Sequence, residues 1–337
     1  MLRIFKDPEG IWRASKEELE HLEHRGCSWI ARLRQARSVM PEEILHRNRE
    51  QGIQFISCEH TKYPKRLQNI ASKPYGLFYK GILPKEDRKT VAVVGARMCT
   101  RQGKERAEYL AKKITQAGGQ IVSGAAYGID GAAQWAALEN QGLSFGVLGC
   151  GADRVYPSGN EKLITRLAEE GGVLSEFPPG TKPMRHHFPM RNRIISGLAD
   201  IVVVVEARKK SGSLITADFA AEQGKQVFAV PGRPEDELSE GCNELIAQGA
   251  GVLLSAEDFI KINFPDYKEE KEKLSEDVLL APAEKLVYSS LGLQSKSLWE
   301  LEAATSLSLS GLSESLLSLE LKGFIEEKER GYYRRRR

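Results

Sequence analysis

Apolar and polar positions in the middle of the chain repeat one rhythm: a short apolar run, a Gly or Ser turn, then a helix-like stretch. Val91 to Ala96 (VAVVGA) leads into GKERAEYLAKKITQ, and the runs QIVSGAA, SFGVLGCG, GVLSEF, DIVVVVEA, QVFAVPG and GVLLS follow. Between most of them lie helical patterns such as DGAAQWAALENQG and SLITADFAAEQGK. That alternation predicts βαβ units. Strands apolar on both faces belong inside a parallel sheet covered by helices on either side. The expected fold class is therefore α/β, a doubly wound, mostly parallel sheet over residues 81–263.

The flanks follow other patterns. ASKEELEHLEHRG and PEEILHRNREQG read as short amphipathic helices, so residues 1–80 are expected to form a small helical domain. Within that stretch, YPKRLQNIASKPYGLFYKGIL mixes turn residues with aromatics and is expected to pack against the core. Residues 264–279, including FPDYKEEKEKLSED, are charged and poor in apolar side chains, as a solvated linker is. Residues 280–337 offer three helical stretches, PAEKLVYSSLG, SLWELEAATS and SLSGLSESLLSLELKG, and then FIEEKERGYYRRRR, a hairpin with Gly331 at its turn. Three helices and a hairpin in that order predict a winged helix-turn-helix.

Composition narrows the function classes. At 337 residues, with 41% hydrophobic and 28% charged residues, the chain can bury a core without disulfides or metal. Its start lacks a basic head followed by an apolar run, and no stretch offers the roughly 20 apolar residues that span a bilayer. Cys27, Cys58, Cys99, Cys150 and Cys242 are scattered with no CxxC pair, as in a reduced cytoplasmic protein. A net charge of +3 does not by itself imply an anionic partner. Clustering of the cations has to carry that argument.

Four loops at the carboxyl ends of expected strands carry the candidate chemistry. In VAVVGARMCTRQGKERAEYL, Gly95 stands where a strand meets a helix, with Arg97 and Arg101 at the mouth of that helix, where outward N–H groups favour phosphate. The loop is neither G-x-G-x-x-G nor a Walker motif, so neither NAD nor ATP is expected as a cofactor. SGAAYGID contributes Ser123 and Gly124, GCGADRVYPSGN contributes Gly149, Gly151 and Asn160, and KKSGSLITA contributes Ser211, Gly212, Ser213 and Thr216. In an open α/β sheet such loops converge on one crevice. FPPGTKPMRHHFPMRNRIISG adds Lys182, Arg185, Arg191, Asn192 and Arg193, and arginine's planar fork suits phosphate oxygens.

Each feature has an alternative role. Any single loop is also ordinary packing chemistry, and Arg191 and Arg193 are equally suited to structural ion pairs with Asp200 or Glu206. His186 and His187 lack a carboxylate or cysteine at ligand spacing, so no metal is expected. Asp130 is placed to cap the helix DGAAQWAALEN. No nucleophile, base and orienting group recur at a catalytic spacing, so no enzyme is expected. The terminal arginines Arg334 to Arg337 are assigned no site.

In order along the chain, VAVVGAR, SGAAYGIDGAA, VLGCGADRVYPSGN, SEFPPGTKP, FPMRNRIISGLAD, VVVVEARKKSGSLITADFAAEQGKQVFAVPG and GCNELIAQGA closely resemble the successive signatures of the DprA/Smf (DNA-processing protein A) family, over about residues 55 to 258. The flanks are similar to a SAM/HhH-like helical domain in front and a winged helix behind. The resemblance implies a Rossmann-like domain that binds single-stranded DNA in a cationic pocket, forms a homodimer through that domain, and helps load RecA recombinase during natural transformation, without catalysis. By motif, Arg97 would contact phosphate. Ser123, Gly124 and Asn160 would shape the pocket, and Arg191, Asn192 and Arg193 with Ser211 to Ser213 would complete it. Gln134 stands where many relatives carry His, Ala96 where Ser is usual, and Ser158 where some carry a basic residue.

Two other functions compete with this one. Related Rossmann-like folds include nucleotide phosphoribohydrolases with a PGGxGTxxE stretch, whereas the comparable strand end here reads EARKKSGSLITADFAAEQG. A duplex-DNA-binding regulator would act mainly through residues 280–337.

Overall fold

The structure is a computed structural model that describes residues 4–5, 7–24, 30–37, 40–267, 280–292, 295–329 and 331–335. It divides into two compact units, Met1–Tyr267 and Lys268–Arg337.

The first unit opens with α1 (Pro8–Arg13), α2 (Lys16–His24), α3 (Ile30–Ala36) and α4 (Pro41–Glu50). Ala14, Leu19, Leu22 and Ile30 form a small core of their own there. The chain then runs β1 (Gln54–Ser57), α5 (Lys65–Gln68), β2 (Gly76–Gly81), β3 (Thr90–Val94), α6 (Arg101–Gln116), β4 (Gln120–Ser123), α7 (Ile129–Glu139) and β5 (Leu143–Val147). It continues through α8 (Glu161–Glu170), β6 (Gly172–Ser175), α9 (His187–Leu198), β7 (Ile201–Val204), α10 (Gly212–Glu222), β8 (Gln226–Ala229), α11 (Glu237–Ala247), β9 (Gly251–Val252) and α12 (Ala256–Asn263).

The nine strands form one sheet in the order β1-β2-β6-β5-β4-β3-β7-β8-β9. Pairing is parallel from β6 to β9 and antiparallel on both sides of β2. The order reverses at β3, which pairs with β4 on one side and β7 on the other, the switch point where an open α/β sheet leaves a crevice beyond its strand ends. Both faces are covered. Ala92, Val94, Val202 and Val204 face the core under α9 and α10, whereas Val91, Val93, Ile201 and Val203 face the core under α6, α7 and α12.

Two boundaries read from the sequence need correction. The small N-terminal domain does not reach residue 80, because β1 and β2 pair into the main sheet and Tyr63, Leu67 and Leu77 belong to its core. The β1–β2 end of the sheet runs antiparallel, so its strands are joined without the long crossover helix whose period marks a βαβ unit. The linker does not begin at residue 264 either. Phe264 is buried in the core under α12, and Tyr267 donates its N–H to the Phe264 carbonyl at 3.0 Å. The rest of that segment, 268–279, lies outside the described residues, as do Cys27, Arg336 and Arg337. Cys58, Cys99, Cys150 and Cys242 are free thiols.

The second unit contains α13 (Pro282–Ser290), β10 (Lys296–Ser297), α14 (Leu298–Thr305), α15 (Leu309–Leu321), β11 (Ile325–Glu329) and β12 (Tyr332–Arg335), with Gly331 at φ +82° in the hairpin. Its three strands pair in the order β10-β12-β11 over a core of Val287, Leu301, Leu312, Leu316, Leu319 and Ile325. Glu284 fastens α13 to α15: it accepts from Lys322 Nζ at 2.7 Å on both oxygens and from Ser318 Oγ at 2.5 Å. Among the described residues no helix is long and apolar enough to cross a membrane.

The hydrogen bonds from Lys322 and Ser318 hold the Glu284 carboxyl below its ordinary value of 4.5. A depressed folded value means that the contact stabilises the unit fully above that pH and is lost as pH falls through the lowered value. In the full chain, the melting temperature read from Val287 and Ile325 methyl resonances should therefore fall on acidification below 4.5. The Glu284→Gln variant should start lower and lose less. Identical acid profiles for the two would remove Glu284 as the cause.

Candidate nucleic-acid interface

At the switch point the strand ends enclose a crevice of about 640 Å³. Its walls come from the β3 end (Val94, Gly95, Arg97), the loop after β4 (Ala126) with Asp130 of α7, the approach to α9 and its first turns (Arg185, Phe188, Arg191, Asn192), and the start of α10 (Ser211, Gly212, Ser213, Thr216). Tyr156 closes one side.

Arg191 builds the floor. It is only 4% exposed, and its Nη1 donates to the Gly124 carbonyl at 2.8 Å and to the Val147 carbonyl, while Nε donates to Asn192 Oδ1 at 3.2 Å. Asp130, also buried, accepts the Gly124 N–H at 3.1 Å. Burial pushes the Asp130 carboxyl up, against the pull of the Arg191 charge and the N–H groups of Gly124 and Gly95. Burial likewise lowers the Arg191 guanidinium to about 10, with Asp130 opposing, so it stays charged at neutral pH. Only glycine fits between them: a Cβ on Gly124 would lie 2.7 Å from both Arg191 Nη2 and Asp130 Oδ2. Asn192 then ties α9 to α10 by donating to the Gly212 carbonyl at 3.0 Å.

The rim is built differently. Arg97 is exposed and its guanidinium lies 5.4 Å from the centre of the Phe188 ring, with Arg191 at 5.9 Å from the same ring and Tyr156 at 5.3 Å. Arg185 is exposed as well. Ser211 caps α10, accepting from Ser213 N–H, and its hydroxyl lies 2.8 Å from that of Ser213. The unpaired N–H groups of a helix's first turn carry partial positive charge. The crevice thus combines three guanidinium groups, hydroxyls, a helix N-terminus and an aromatic ring.

Of the residues singled out from sequence, Gly95, Arg97, Arg185, Arg191, Asn192, Ser211, Gly212, Ser213 and Thr216 line this crevice. Ser123 ends β4, and Gly124, Gly149, Gly151 and Asn160 lie in the supporting loops. Ser123 Oγ donates to the Val93 carbonyl at 2.7 Å, Gly149's carbonyl meets His187 Nδ1 at 3.1 Å, and Gly151 N–H donates to the Thr181 carbonyl at 3.0 Å. Asn160 Nδ2 donates to the Ala125 and Ala126 carbonyls, each at 3.0 Å. Gln134 is fully buried and bridges the Ala125 N–H and the Phe145 carbonyl, so its amide serves the loop's shape. Lys182 is exposed and outside the lining.

Four expectations change. Arg101 does not reach the crevice: its side chain is 91% exposed and pairs with Glu105 at 2.9 Å. The mouth of α6 is not open to phosphate either, because Glu206 occupies it, accepting from the Thr100 N–H at 2.9 Å and from the Thr100 hydroxyl. Gly103 permits this, since a Cβ there would meet the Glu206 carboxylate at 2.3 Å. Arg193 points elsewhere and grips Glu176 at 2.7 and 2.8 Å; neither it nor Arg191 pairs with Asp200, which Arg66 holds at 2.9 Å. Asp130 sits inside the first turn of α7, which Gly128 caps, and serves Gly124 and Arg191 instead. The sequence reading missed Phe188 and Tyr156; Phe188 lies three residues before Arg191, hence on the same helical face, which is the signal that would have found it. No cluster of three His, Cys, Asp or Glu suited to a metal occurs among the described residues.

A Rossmann-like sheet with a cationic crevice at its switch point defines the class. Residues 54–263 match the family described as DNA recombination-mediator protein A, and the chain belongs to that family. DNA processing protein DprA of Bacillus subtilis is 46% identical, covering 65% of this chain and 74% of that protein. Protein Smf of Synechocystis is 32% identical and covers 97% of this chain and 92% of its own. The X-ray structure of DprA from Streptococcus pneumoniae superposes with a TM-score of 0.64 at 40% identity, covering 71% of this chain and 83% of that one. DprA from Helicobacter pylori, solved for its single-stranded DNA binding mode, superposes with a TM-score of 0.58 at 31% identity, covering 65% of this chain and 99% of that one.

If Asp130 is the counter-charge to Arg191, Asp130→Asn leaves a buried guanidinium unpaired while keeping the side chain's shape. Unfolding in urea should then show a loss of about 3–5 kcal/mol. A loss under about 1 kcal/mol would mean that the carbonyls alone satisfy Arg191.

Proposed function

We propose that the crevice binds single-stranded DNA without catalysing a reaction. The observation that carries this is the convergence of Arg97, Arg185 and Arg191 with the start of α10 and the Phe188 ring on one cavity of about 640 Å³. Guanidinium groups and helix N–H groups suit a phosphate backbone, and an aromatic ring suits an unstacked base. A cavity of this size takes nucleotides splayed from a strand, and a paired duplex does not present them. The single-stranded DNA binding mode of the Helicobacter relative supports the same assignment.

The one carboxyl group that lines this crevice is not free for acid–base chemistry. Asp130 is committed to Gly124 and Arg191, and Glu206 to Thr100. The phosphoribohydrolase alternative would require ribose phosphate release from nucleotides, which this assignment expects to be absent.

Three finer roles complete the proposal. The bound strand is handed to RecA recombinase, as the DprA/Smf resemblance implies for natural transformation, and filament nucleation on protein-coated strands measures it. A homodimer forms through the Rossmann-like unit; the β9 edge, where Val252 and Leu254 are 46% and 79% exposed, is the surface we assign to it. The second unit is a winged helix, given its three helices and terminal hairpin.

Fluorescence anisotropy with labelled oligonucleotides over a salt series tests the crevice. Removing one phosphate-binding cation should reduce the slope of log affinity against log salt by about 0.7 for single strands, so an Arg97→Ala, Arg185→Ala double variant should reduce it by about 1.4. Phe188→Ala should weaken binding by about 1–3 kcal/mol and leave the slope unchanged. An unaltered slope in the double variant would place the strand elsewhere.

A further inference from the structure

The outer face of α15 is apolar and acidic. Leu312, Ser315, Leu316 and Leu319 are buried, whereas Leu309, Leu317 and Leu321 are 46, 60 and 81% exposed. Ser310, Ser313, Glu314 and Glu320 are exposed beside them. At 3.6 residues per turn these exposed side chains share one arc of about 140° centred near Leu317. The arc holds no cation.

In a winged helix this is the helix that would enter a major groove. Reading duplex DNA requires donors aimed at base edges and cations aimed at phosphates. Here Glu314 and Glu320 would face the phosphates instead. Four of the second unit's cations are also engaged: Lys296 with the Ser290 carbonyl at 2.7 Å, Lys322 with Glu284 at 2.7 Å, Arg334 with Glu326 at 2.6 Å, and Arg335 with the Tyr288 carbonyl at 2.8 Å.

We propose that α15 is a protein-docking helix whose occupant is a cationic amphipathic helix of a partner protein. Charge complementarity selects that occupant. Leu317 and Leu321, four residues apart with Leu309 two turns earlier, offer apolar contacts along one ridge, and Glu314 and Glu320 flank it as partners for Lys or Arg. A second copy of this face would bring further carboxylates to the same contact, and like charges opposed across an interface disfavour it. Docking at this face is independent of strand binding in the crevice.

The test uses the full chain and a fluorescein-labelled synthetic helix with leucines at i, i+4 spacing flanked by lysines. Wild type should bind it in a salt-sensitive manner. Leu317→Ser with Leu321→Ser, and separately Glu314→Lys with Glu320→Lys, should each weaken binding by about tenfold or more. Both variants change exposed side chains only, and both should keep the wild-type Val287 and Ile325 methyl resonances, which shows that the second unit is folded. Equal peptide binding by all three proteins would overturn the proposal. So would duplex DNA shifting the α15 amide resonances, or a dimer that the Leu317→Ser, Leu321→Ser variant dissolves in sedimentation.

Discussion

The Arg191 guanidinium is buried and still charged, and the crevice is arranged around that fact. Taking such a group out of water is tolerated only when its donors and its charge are both answered. The answers come from separate elements: carbonyls at the ends of β4 and β5, the Asp130 carboxylate on α7, and the amide of its neighbour Asn192. Satisfying one side chain therefore fixes α9 against the strand ends and, through Asn192, sets the start of α10. The consequence is a rigid cationic floor beneath a rim on which Arg97 and Arg185 remain exposed. Positive potential is built into the fold, and the exposed arginines adjust to whatever lies above it.

Much of this is legible in the chain, and the limits have physical causes. Apolar runs between Gly and Ser turns mark the parallel strands because burial on both faces leaves no polar alternation. The convergence of four loops follows from that, since parallel strands deliver their carboxyl ends to one edge. Arg191 and Arg193 look equivalent in sequence, yet residues two apart on a helix face opposite ways, so one is the floor and the other a partner of Glu176. The occupation of the α6 mouth by Glu206 is hidden because it joins residues about a hundred positions apart. Strands β1 and β2 are hidden by a short antiparallel pattern among turn residues.

The two units show how similar helical and strand elements support different surfaces. The first concentrates arginine at an edge where helix dipoles already favour anions. The second satisfies several of its cations internally and turns leucine and glutamate outward on α15. Shape alone would assign both units to nucleic acid; the distribution of unpaired charge separates them.

Glu206 closes the mouth of α6 from within the chain. A carboxylate tethered beside the N-terminus of α6 competes at an effective concentration that free metabolites do not match, because it bears no translational entropy cost each time it docks. The helix N-terminus that would otherwise attract an anion is thus occupied by the chain itself. Anions in solution meet a filled site there, so at this edge of the sheet they are left with the neighbouring crevice and its exposed Arg97 and Arg185.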